Sequence, residues 1–411
     1  MSKFAVLGYG VVGSGVVELF YKNREKIQKR AGDEMDVKYI LDIRDFPDSP
    51  YKDKFVKTID EIVNDPEIKA VAECMGGVEP AFTFSKKCLE KGISVSTSNK
   101  ELVAAKGDIL LALAKEHNCN YFFEASVGGA IPIIRPLHKC LAANDIDSVA
   151  GILNGTTNFI LTKMINEGMK FDTALKLAQE LGYAEKDPTA DVEGHDACRK
   201  ICIISSLVYG RHVYPDSVHT QGISDIKLED VQIVNKWGGS IKLIAKVSEL
   251  ENGKILPLVM PMIVPFDNLI SRVDDVFNAV LVSGNGIDKT LFYGRGAGKL
   301  PTASAVLGDV IDSVKHDRTV FSQSWESVSD NSFVEDWHNY KAPVYFRVDT
   351  DVTDTVKFVR ENCPENCELV DAPNGQLCFI TPVVSLSEAD SLKEKLESAG
   401  AKVVSLIPVL K

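Results

Sequence analysis

The chain has 411 residues, of which 45% are hydrophobic and 25% charged, and its 46 Lys and Arg against 58 Asp and Glu give a net charge of −12. This composition is typical of a soluble globular protein with two or three domains. The acidic balance argues against nucleic acid or an anionic membrane surface as a partner, because both require basic protein surface.

The sequence also indicates where the protein is found. No stretch approaches the ~20 consecutive apolar residues of a transmembrane helix, and the apolar N-terminal run is interrupted by four glycines, unlike a signal peptide. The nine Cys are odd in number, which fits a reducing cytoplasm. The pairs Cys198/Cys202 and Cys363/Cys367 lack a second pair at zinc spacing. We expect a cytoplasmic protein without structural zinc.

The first third, residues 1–132, alternates short strands with amphipathic helices. This order predicts a Rossmann-type, doubly wound parallel sheet covered by helices. The predicted strands are 3–7, 37–42, 70–74, 94–97 and 121–123, and the predicted helices are 13–30, 80–91 and 106–117.

The rhythm changes in residues 133–316, which we interpret as an α+β catalytic and dimerisation domain. Its last helix, 303–316, could pack back on the first domain. The other elements are strands at 149–153, 242–250 and 256–265 and helices at 157–167, 171–181 and 197–207.

Residues 317–341 are rich in Ser, Asp and Asn and are predicted as a linker, although Val320, Phe321, Trp325 and Trp337 indicate that part of it packs. Residues 342–411 follow the order βαββαβ, which predicts a small ferredoxin-like module. Its elements are strands at 345–348, 367–371, 377–383 and 403–409, helices at 352–361 and 387–399, and a turn at Pro373-Asn374-Gly375.

A glycine loop, Gly8-Tyr9-Gly10-Val11-Val12-Gly13, directly follows the first strand and opens a helix. In this context the three glycines allow a tight turn, close approach of a pyrophosphate and close packing of helix on strand. The free N–H groups of the helix, including those at Val11 and Val12, would meet the phosphates. The alternative is a packing turn without a ligand.

The choice between NAD and NADP depends on Asp42 and Arg44. Asp42, at the end of the second strand, could bind a ribose 2′-hydroxyl and would repel a 2′-phosphate. Arg44 could instead pair with that phosphate, and we favour NADP slightly. Alternatively, Arg44 forms a surface ion pair with Asp45, Asp48 or another neighbour.

Carboxylates and a lysine are concentrated between two predicted helices, with Gly182 as the left-handed cap of the first. The loop carries Glu185 and Asp191, and Asp196 and Lys200 share one face of the next helix. A carbonyl-reducing dehydrogenase needs a proton donor, and an amino-acid substrate needs carboxylates for its ammonium group. The alternative is a solvated acidic loop with an ordinary ion pair.

A second lysine, Lys100, follows the strand that ends at Thr97. Ligands of doubly wound sheets bind beyond the carboxyl ends of the strands, so we expect Lys100 near the nicotinamide. Two neighbouring lysines, Lys100 and Lys200, would depress each other's pKa. The alternative is a surface lysine at the start of a helix.

Over residues 3–315 these motifs resemble the homoserine dehydrogenases. The family signature is matched by Ala178…Gly182, Asp187-Pro188…Asp191 and Gly194…Asp196…Lys200. Further blocks that resemble the family are Glu73–Gly77, Thr97–Glu101, Glu124–Pro132, Gly151–Asn158, Tyr293–Gly298 and Pro301–Ser304.

The resemblance implies roles for individual residues. Lys200 matches the proton donor and Lys100 an active-site lysine near nucleotide and substrate. Substrate contacts are implied for Gly182, Glu185, Asp191 and Asp196, and nucleotide contacts for Thr97, Lys100 and Gly298. The resemblance also implies a monovalent-cation site, usually sodium, made by Glu124 and the carbonyls of Val127, Gly129 and Ile131. The alternative for Glu124 is a salt-bridged structural carboxylate.

The implied reaction is the reversible reduction of L-aspartate 4-semialdehyde to L-homoserine by NAD(P)H, in the biosynthesis of threonine, methionine and isoleucine. The lysines would protonate and stabilise the developing alkoxide, with Asp196 orienting Lys200. Oxidation should then improve with rising pH.

The C-terminal module resembles an ACT domain, which in this family implies feedback control, commonly by L-threonine; the alternative is a structural or dimerising module. We expect a homodimer, with a homotetramer left open. Two other functions remain open: an aspartate-semialdehyde dehydrogenase, which needs a Cys beside a His, and a non-catalytic nucleotide-binding regulator.

Overall fold

The computed structural model describes residues 2–320, 325–350, 355–372 and 376–410, so Phe321 and the Pro373-Asn374-Gly375 turn lie outside the described residues. The first lobe is a six-stranded, fully parallel sheet in the order β3-β2-β1-β4-β5-β6. This order is that of dinucleotide-binding doubly wound folds and confirms the predicted fold class. Its strands are β1 (Ser2–Leu7), β2 (Met35–Leu41), β3 (Phe55–Val56), β4 (Ile68–Glu73), β5 (Ser94–Thr97) and β6 (Tyr121–Phe122).

The helices of this lobe differ from prediction in three respects, the first of which is a short helix over Asp60–Val63 that was not predicted. The single helix predicted over 13–30 is two helices, separated at Asn23, whose N–H is accepted by the carbonyls of Leu19 and Phe20. The helix predicted from residue 106 begins at Lys100, because the side chain of Asn99 accepts the N–H of Leu102 at 3.0 Å and caps it. The helices are α1 (Val11–Lys22), α2 (Arg24–Ala31), α3 (Asp60–Val63), α4 (Ala81–Glu90) and α5 (Lys100–Glu116).

The second lobe contains a mixed sheet in the order β12-β11-β7-β9-β10-β8, antiparallel except that β8 runs parallel to β10. Val149 and Val280 of this sheet share a buried core with Phe159 and Ile201 of the helices. The strands are β7 (Ile146–Ile152), β8 (His219–Thr220), β9 (Gly239–Glu249), β10 (Ile255–Pro265), β11 (Phe277–Gly284) and β12 (Asp288–Arg295). The helices are α6 (Gly155–Glu167), α7 (Phe171–Glu180), α8 (Thr189–Val192), α9 (His195–Tyr209) and α10 (Leu228–Trp237).

Helix α11 (Lys299–Lys315) returns to the first lobe. Its residues Ala303, Val306 and Val310 are buried in one cluster with Phe4 and Val16 of the first lobe. The chain therefore passes from the first lobe to the second after β6 and returns to the first lobe before α11.

The segment predicted as a linker packs at Trp325, whose indole N–H donates to Nδ1 of buried His212 at 3.0 Å. Beyond it lies a four-stranded antiparallel sheet in the order β15-β16-β14-β18, with a separate pair, β13 and β17. The elements are β13 (Lys341–Ala342), β14 (Val344–Asp349), α12 (Thr355–Asn362), β15 (Glu368–Val370), β16 (Leu377–Ile380), β17 (Val384–Ser385), α13 (Leu386–Ser398) and β18 (Lys402–Pro408).

A buried polar contact fixes this C-terminal module to the second lobe. Asp230 on α10 is 1% exposed and accepts from Nε and Nη2 of Arg347 at 2.7 and 2.9 Å. The hydroxyls of Ser405 and Tyr345 donate to the same carboxylate at 2.6 and 3.2 Å. All four donors come from β14 and β18, so the module and α10 are held in one geometry. Within the described residues, none of the helices has the length and apolar character needed to cross a bilayer.

Candidate active site

A cavity of about 500 Å³ lies between the two lobes and is lined by all four of the predicted substrate residues. Lys100 enters it from the first lobe, and the start of α9 enters it from the second. Its lining includes Lys100, Asn154, Thr156, Gly182, Glu185, Asp191, Asp196, Lys200, Arg295 and Gly298. None of the described lining residues is a cysteine, so the cavity offers no thiol nucleophile.

Asp196 is the centre of the site. It lies in the first turn of α9, is 5% exposed and receives a lysine on each carboxylate oxygen. Lys200 Nζ donates to Oδ2 at 2.7 Å, and Lys100 Nζ lies 3.1 Å from Oδ1. Lys200 Nζ also donates to the carbonyl of Leu153 at 2.7 Å. The predicted pairing of Asp196 and Lys200 is present, and the structure adds Lys100 to it.

The position of this carboxylate reverses one expectation. Burial alone would raise the pKa of Asp196, but the ammonium groups of Lys200 and Lys100 outweigh burial and hold it well below its usual value. The attraction of Asp196 raises the pKa of Lys100 and outweighs the opposing effect of burial. The expected depression of the pKa of Lys100 by a neighbouring lysine is therefore wrong, because a shared carboxylate lies between the two amines.

Asn154 is a site residue for which the sequence analysis assigned no role. Its Nδ2 donates to Asp191 Oδ1 at 2.7 Å and to Asp196 Oδ2 at 2.9 Å, while its Oδ1 caps α6 by accepting the N–H of Thr157 at 2.8 Å. The pattern Asn154-Gly-Thr-Thr predicts a helix cap, but only the folded chain brings its amide to the carboxylates. Burial, and secondly the charge of Asp196, raise the pKa of Asp191.

The loop at residues 181–185 forms the rim of the cavity. Gly182 has φ +74°, the left-handed conformation predicted for it. Glu185 is exposed, as are the apolar side chains of Leu181 and Tyr183. The hydroxyl of Thr156 donates to the carbonyl of Tyr183 at 2.8 Å and ties the rim to α6.

The glycine loop has the geometry of a phosphate site. Gly8 has φ +87°, and a Cβ on Gly13 would lie 1.8 Å from the carbonyl oxygen of Gly8, so α1 approaches the loop as closely as the sequence predicts. A Cβ on Gly10 would meet nothing within 4 Å, which leaves open space in front of the helix N-terminus. The side chain of Val11 is 68% exposed at this edge, and Val12 packs beneath it against the first-lobe core.

Asp42 and Arg44 form an ion pair beside this loop, as the alternative interpretation of Arg44 anticipated, and the partner is neither Asp45 nor Asp48 but another neighbour. Nε and Nη2 of Arg44 donate to Asp42 at 3.0 and 2.9 Å, and the N–H of Tyr9 donates to Asp42 at 2.7 Å. The hydrogen bonds from Arg44 lower the pKa of Asp42 to about 2, against the opposing effect of burial.

Gly298 and Thr97 were both predicted to contact the nucleotide, but only Gly298 lines the cavity. Gly298 has φ +126° at the N-terminus of α11 and lines the cavity. Thr97 is fully buried, and its hydroxyl donates to Glu73 and accepts the N–H of Asn99 at 2.9 Å. The side chain of Thr97 is therefore engaged inside the sheet.

Glu124 is 3% exposed and lies in the first crossing between the lobes. Its carboxylate accepts the N–H groups of Ile133, Ile134 and Arg135 at 2.7, 2.8 and 2.8 Å. Within the described part of the chain, no cluster of three or more His, Cys, Asp or Glu side chains could hold a metal ion.

A parallel dinucleotide-binding sheet, a glycine loop and a lysine–carboxylate centre facing the cleft define a nicotinamide-dependent oxidoreductase. Residues 8–124 match the family model for the NAD-binding domain of homoserine dehydrogenase, and residues 132–311 match the model for homoserine dehydrogenase itself. The chain belongs to the homoserine dehydrogenase family, which confirms the predicted activity.

Individual relatives agree with this assignment. The homoserine dehydrogenase of Lactococcus lactis is 38% identical over 352 residues, covering 84% of this chain and 82% of the relative. A crystal structure of the Thiobacillus denitrificans enzyme aligns over 100% of this chain and 98% of that one, with 33% identity and a TM-score of 0.90. A hyperthermophilic archaeal homoserine dehydrogenase in complex with NADPH aligns with a TM-score of 0.64 and 30% identity, covering 76% of this chain and 97% of that one.

Proposed function

We propose that Lys100, Asp196 and Lys200 are the catalytic group that interconverts L-aspartate 4-semialdehyde and L-homoserine. The observation that carries this proposal is the meeting of both lysines on one buried carboxylate in the cavity. Lys100 stands on the nucleotide-binding lobe and Lys200 on the other, so the reacting carbon would lie between nicotinamide and amine.

Bound reduced nicotinamide supplies the hydride for the C4 aldehyde carbon. Lys200 is our candidate for the proton donor to the resulting alkoxide. Of its three ammonium N–H groups, one is donated to Asp196 and one to the Leu153 carbonyl, which leaves one for the substrate oxygen. Lys100 adds a second positive charge that stabilises the oxygen as charge develops. In the reverse direction Lys200 must first lose a proton, so the rate should rise with pH.

The ammonium group of the substrate would be held by Glu185 and Asp191, with the backbone of Gly182 alongside. Both carboxylates line the cavity with Asp196. Asp196 is already paired with two lysines, so Glu185 and Asp191 are the acceptors left for an additional cation.

We propose NADP as the preferred nucleotide over NAD. The open space at Gly10 suits a pyrophosphate, and Arg44 stands at the end of β2 where a ribose would lie. Arg44 is 59% exposed as a side chain while it pairs with Asp42, so its guanidinium could also reach a 2′-phosphate. The archaeal relative captured with NADPH supports the same choice.

A monovalent cation, with sodium as our candidate, fits the segment around Glu124. Val127, Gly129 and Ile131 are buried, and none of the described hydrogen bonds ends on their carbonyl oxygens. A hard cation prefers oxygen ligands, and Glu124 has one acceptor position left after its three N–H partners. The ion would hold this crossing segment in place and take no part in proton transfer.

At the level of the assembly, we propose a cytoplasmic homodimer or homotetramer. The C-terminal module would act as an ACT-type regulatory domain with L-threonine as the candidate effector. Its βαββαβ order and its four-stranded sheet support this assignment. Gel filtration with light scattering tests the oligomeric state. Inhibition assays with L-threonine test the regulatory role of the C-terminal module.

The experiment for the catalytic proposal compares Lys200→Met and Lys100→Met with Lys186→Met. Lys186 is exposed in the same loop and is not among the residues that line the cavity. Homoserine-dependent reduction of NADP and NAD is followed by absorbance, and nucleotide binding by fluorescence. We expect losses of about 10²–10⁴-fold in kcat for Lys200→Met, with nucleotide affinity retained and Lys186→Met unchanged. Full activity of folded Lys200→Met would contradict the assignment of Lys200.

A further inference from the structure

A buried polar cluster lies beneath the active-site cavity, where β4 and β5 end. Glu73 is the last residue of β4 and Thr97 the last of β5. Both are fully buried, and Tyr121 on the adjacent β6 is 2% exposed. None of the three lines the cavity, and the reaction described above does not use them.

A chain of hydrogen bonds leads from this cluster to the active site. Glu73 accepts the N–H of Met75 on Oε1 at 2.6 Å and the hydroxyl of Thr97 on Oε2. The oxygen of Thr97 accepts the N–H of Asn99 at 2.9 Å. Asn99 is the cap of α5, and the next residue is Lys100.

Asn99 is held from a second side as well. Its Nδ2 donates to the carbonyl of Gly77 at 2.6 Å, while its Oδ1 receives the N–H of Leu102 at 3.0 Å. Asn99 therefore fixes the first turn of α5. The backbone N–H of Asn99 is held by the hydroxyl of Thr97, and that hydroxyl is held in turn by the carboxylate of Glu73. The first turn also places Lys100, whose Nζ lies 3.1 Å from Asp196.

The network matches the ionised form of Glu73, because both of its oxygens act as acceptors. A proton on either oxygen would compete with one of the two donors. Burial raises the pKa of Glu73 to about 7, although its two hydrogen bonds oppose the shift. The titratable groups that face it are Cys74 and Tyr121, and burial raises the pKa of both thiol and phenol, so neither is charged near neutral pH.

We propose that Glu73 is a positioning residue for Lys100, acting through Thr97 and Asn99 to fix the start of α5 and hence the distance of the Lys100 ammonium from Asp196 and the reacting oxygen. This inference rests on the catalytic role proposed for Lys100. Loss of the Glu73 charge loosens the first turn of α5 without removing any group that touches substrate.

The test is Glu73→Gln, which keeps the size of the side chain and imitates its protonated form. The control is Asp108→Asn, a buried carboxylate on the same helix that binds Ser327 and lies two turns beyond Lys100. Rates are measured in the direction of semialdehyde reduction from about pH 6 to about pH 8, where Lys100 stays protonated because Asp196 raises its pKa. The wild type should gain activity as Glu73 ionises, with an inflection near pH 7.

We expect Glu73→Gln to lower kcat by about ten- to a hundredfold, to lose that inflection, and to keep the KM for nucleotide within about twofold. Asp108→Asn should retain both kcat and the inflection. If Asp108→Asn lowers kcat as much as Glu73→Gln does, the loss reflects general destabilisation, and the proposal is overturned. Wild-type kcat and an unchanged pH profile in folded Glu73→Gln would overturn it as well.

A second measurement does not depend on turnover. Lys100 is 38% exposed as a side chain, so its reaction rate with an amine-acylating reagent can be followed by peptide mass spectrometry, with exposed Lys186 as internal reference. Glu73→Gln should change the Lys100 rate and leave the Lys186 rate unchanged. If Lys100→Met retains activity, the catalytic role proposed for Lys100 is refuted. The change in acylation rate of Lys100 in Glu73→Gln would still show whether Glu73 positions the lysine. An unshifted Lys100 rate refutes positioning alone.

Discussion

Asp196→Asn is the substitution that probes the site most directly, since it removes one charge and leaves the shape. Lys200 Nζ stands 2.7 Å from Asp196 Oδ2, with both side chains less than a tenth exposed. At an effective dielectric constant of about 20, this separation corresponds to a gross Coulomb energy of about 6 kcal/mol. Part of it is offset by desolvation, and breaking such a buried pair typically costs about 3–5 kcal/mol.

The sign of the pH effect follows from the same geometry. Asp196 raises the pKa of Lys100, because its negative charge favours the ammonium form of the lysine. Without the carboxylate, Lys100 loses its proton at lower pH, and with it the positive charge that stabilises the substrate oxygen. Homoserine oxidation should therefore begin to decline at a lower alkaline pH than in the wild type, while the maximum rate falls by about tenfold or more because the amines are no longer oriented.

The assay is the initial rate of NADP reduction by L-homoserine across the pH range, together with thermal unfolding and nucleotide binding. Asp187→Asn is the matched control, because Asp187 is exposed in the adjacent loop and its carboxylate accepts from Thr189. An alkaline decline that stays in place or moves to higher pH, in folded protein that still binds nucleotide, would refute the role assigned to Asp196.

Three further substitutions test other parts of the molecule. Gly13→Ala would place a Cβ 1.8 Å from the carbonyl oxygen of Gly8, so nucleotide should bind at least about tenfold more weakly; unchanged affinity in a fluorescence titration would contradict the loop geometry. Arg44→Ala should weaken NADP by about tenfold through loss of a charge-assisted contact and leave NAD nearly unchanged, whereas an equal loss for both would assign Arg44 a structural role. Arg347→Met leaves Asp230 buried without its partner and should destabilise the C-terminal module by about 3–5 kcal/mol, seen as faster amide exchange in β14 and β18; wild-type exchange would show that apolar packing alone holds the module.

Local patterns predicted much of the architecture. The strand and helix alternation, together with the glycine loop, predicted the parallel sheet and its nucleotide edge, and turn residues marked the βαββαβ order. The break at Asn23 was not predicted, because neither Gly nor Pro interrupts residues 16–30 and the freed groups are satisfied within the helix itself. The early start of α5 was missed, although Asn99 carried a capping signal and Leu102 and Val103 in the first turn are buried and apolar.

The site shows where sequence spacing stops being informative. Asp196 and Lys200 are four residues apart, so helical geometry alone predicts their contact. Lys100 is 96 residues from Asp196 in the chain, and only the folded lobes place it on the other oxygen of the same carboxylate. Asn154 and Glu73 lie in sequence blocks that resemble the family, but the sequence predicted no role for them. Their roles depend on partners that are distant in the chain.

The segment that leaves the first lobe after β6 also constrains how the cleft can move. Glu124 in the first crossing donates its N–H to Asp309 of α11 at 2.9 Å, and Arg135 forms an ion pair with the same aspartate. Both contacts fasten the first crossing to α11, which packs in the first lobe, so we expect the lobes to rotate about a point beyond Arg135. Rotation that widens the cleft would draw Lys100 away from Asp196 while Lys200 stays with it. Admission of substrate and the proton affinity of Lys100 are then mechanically coupled.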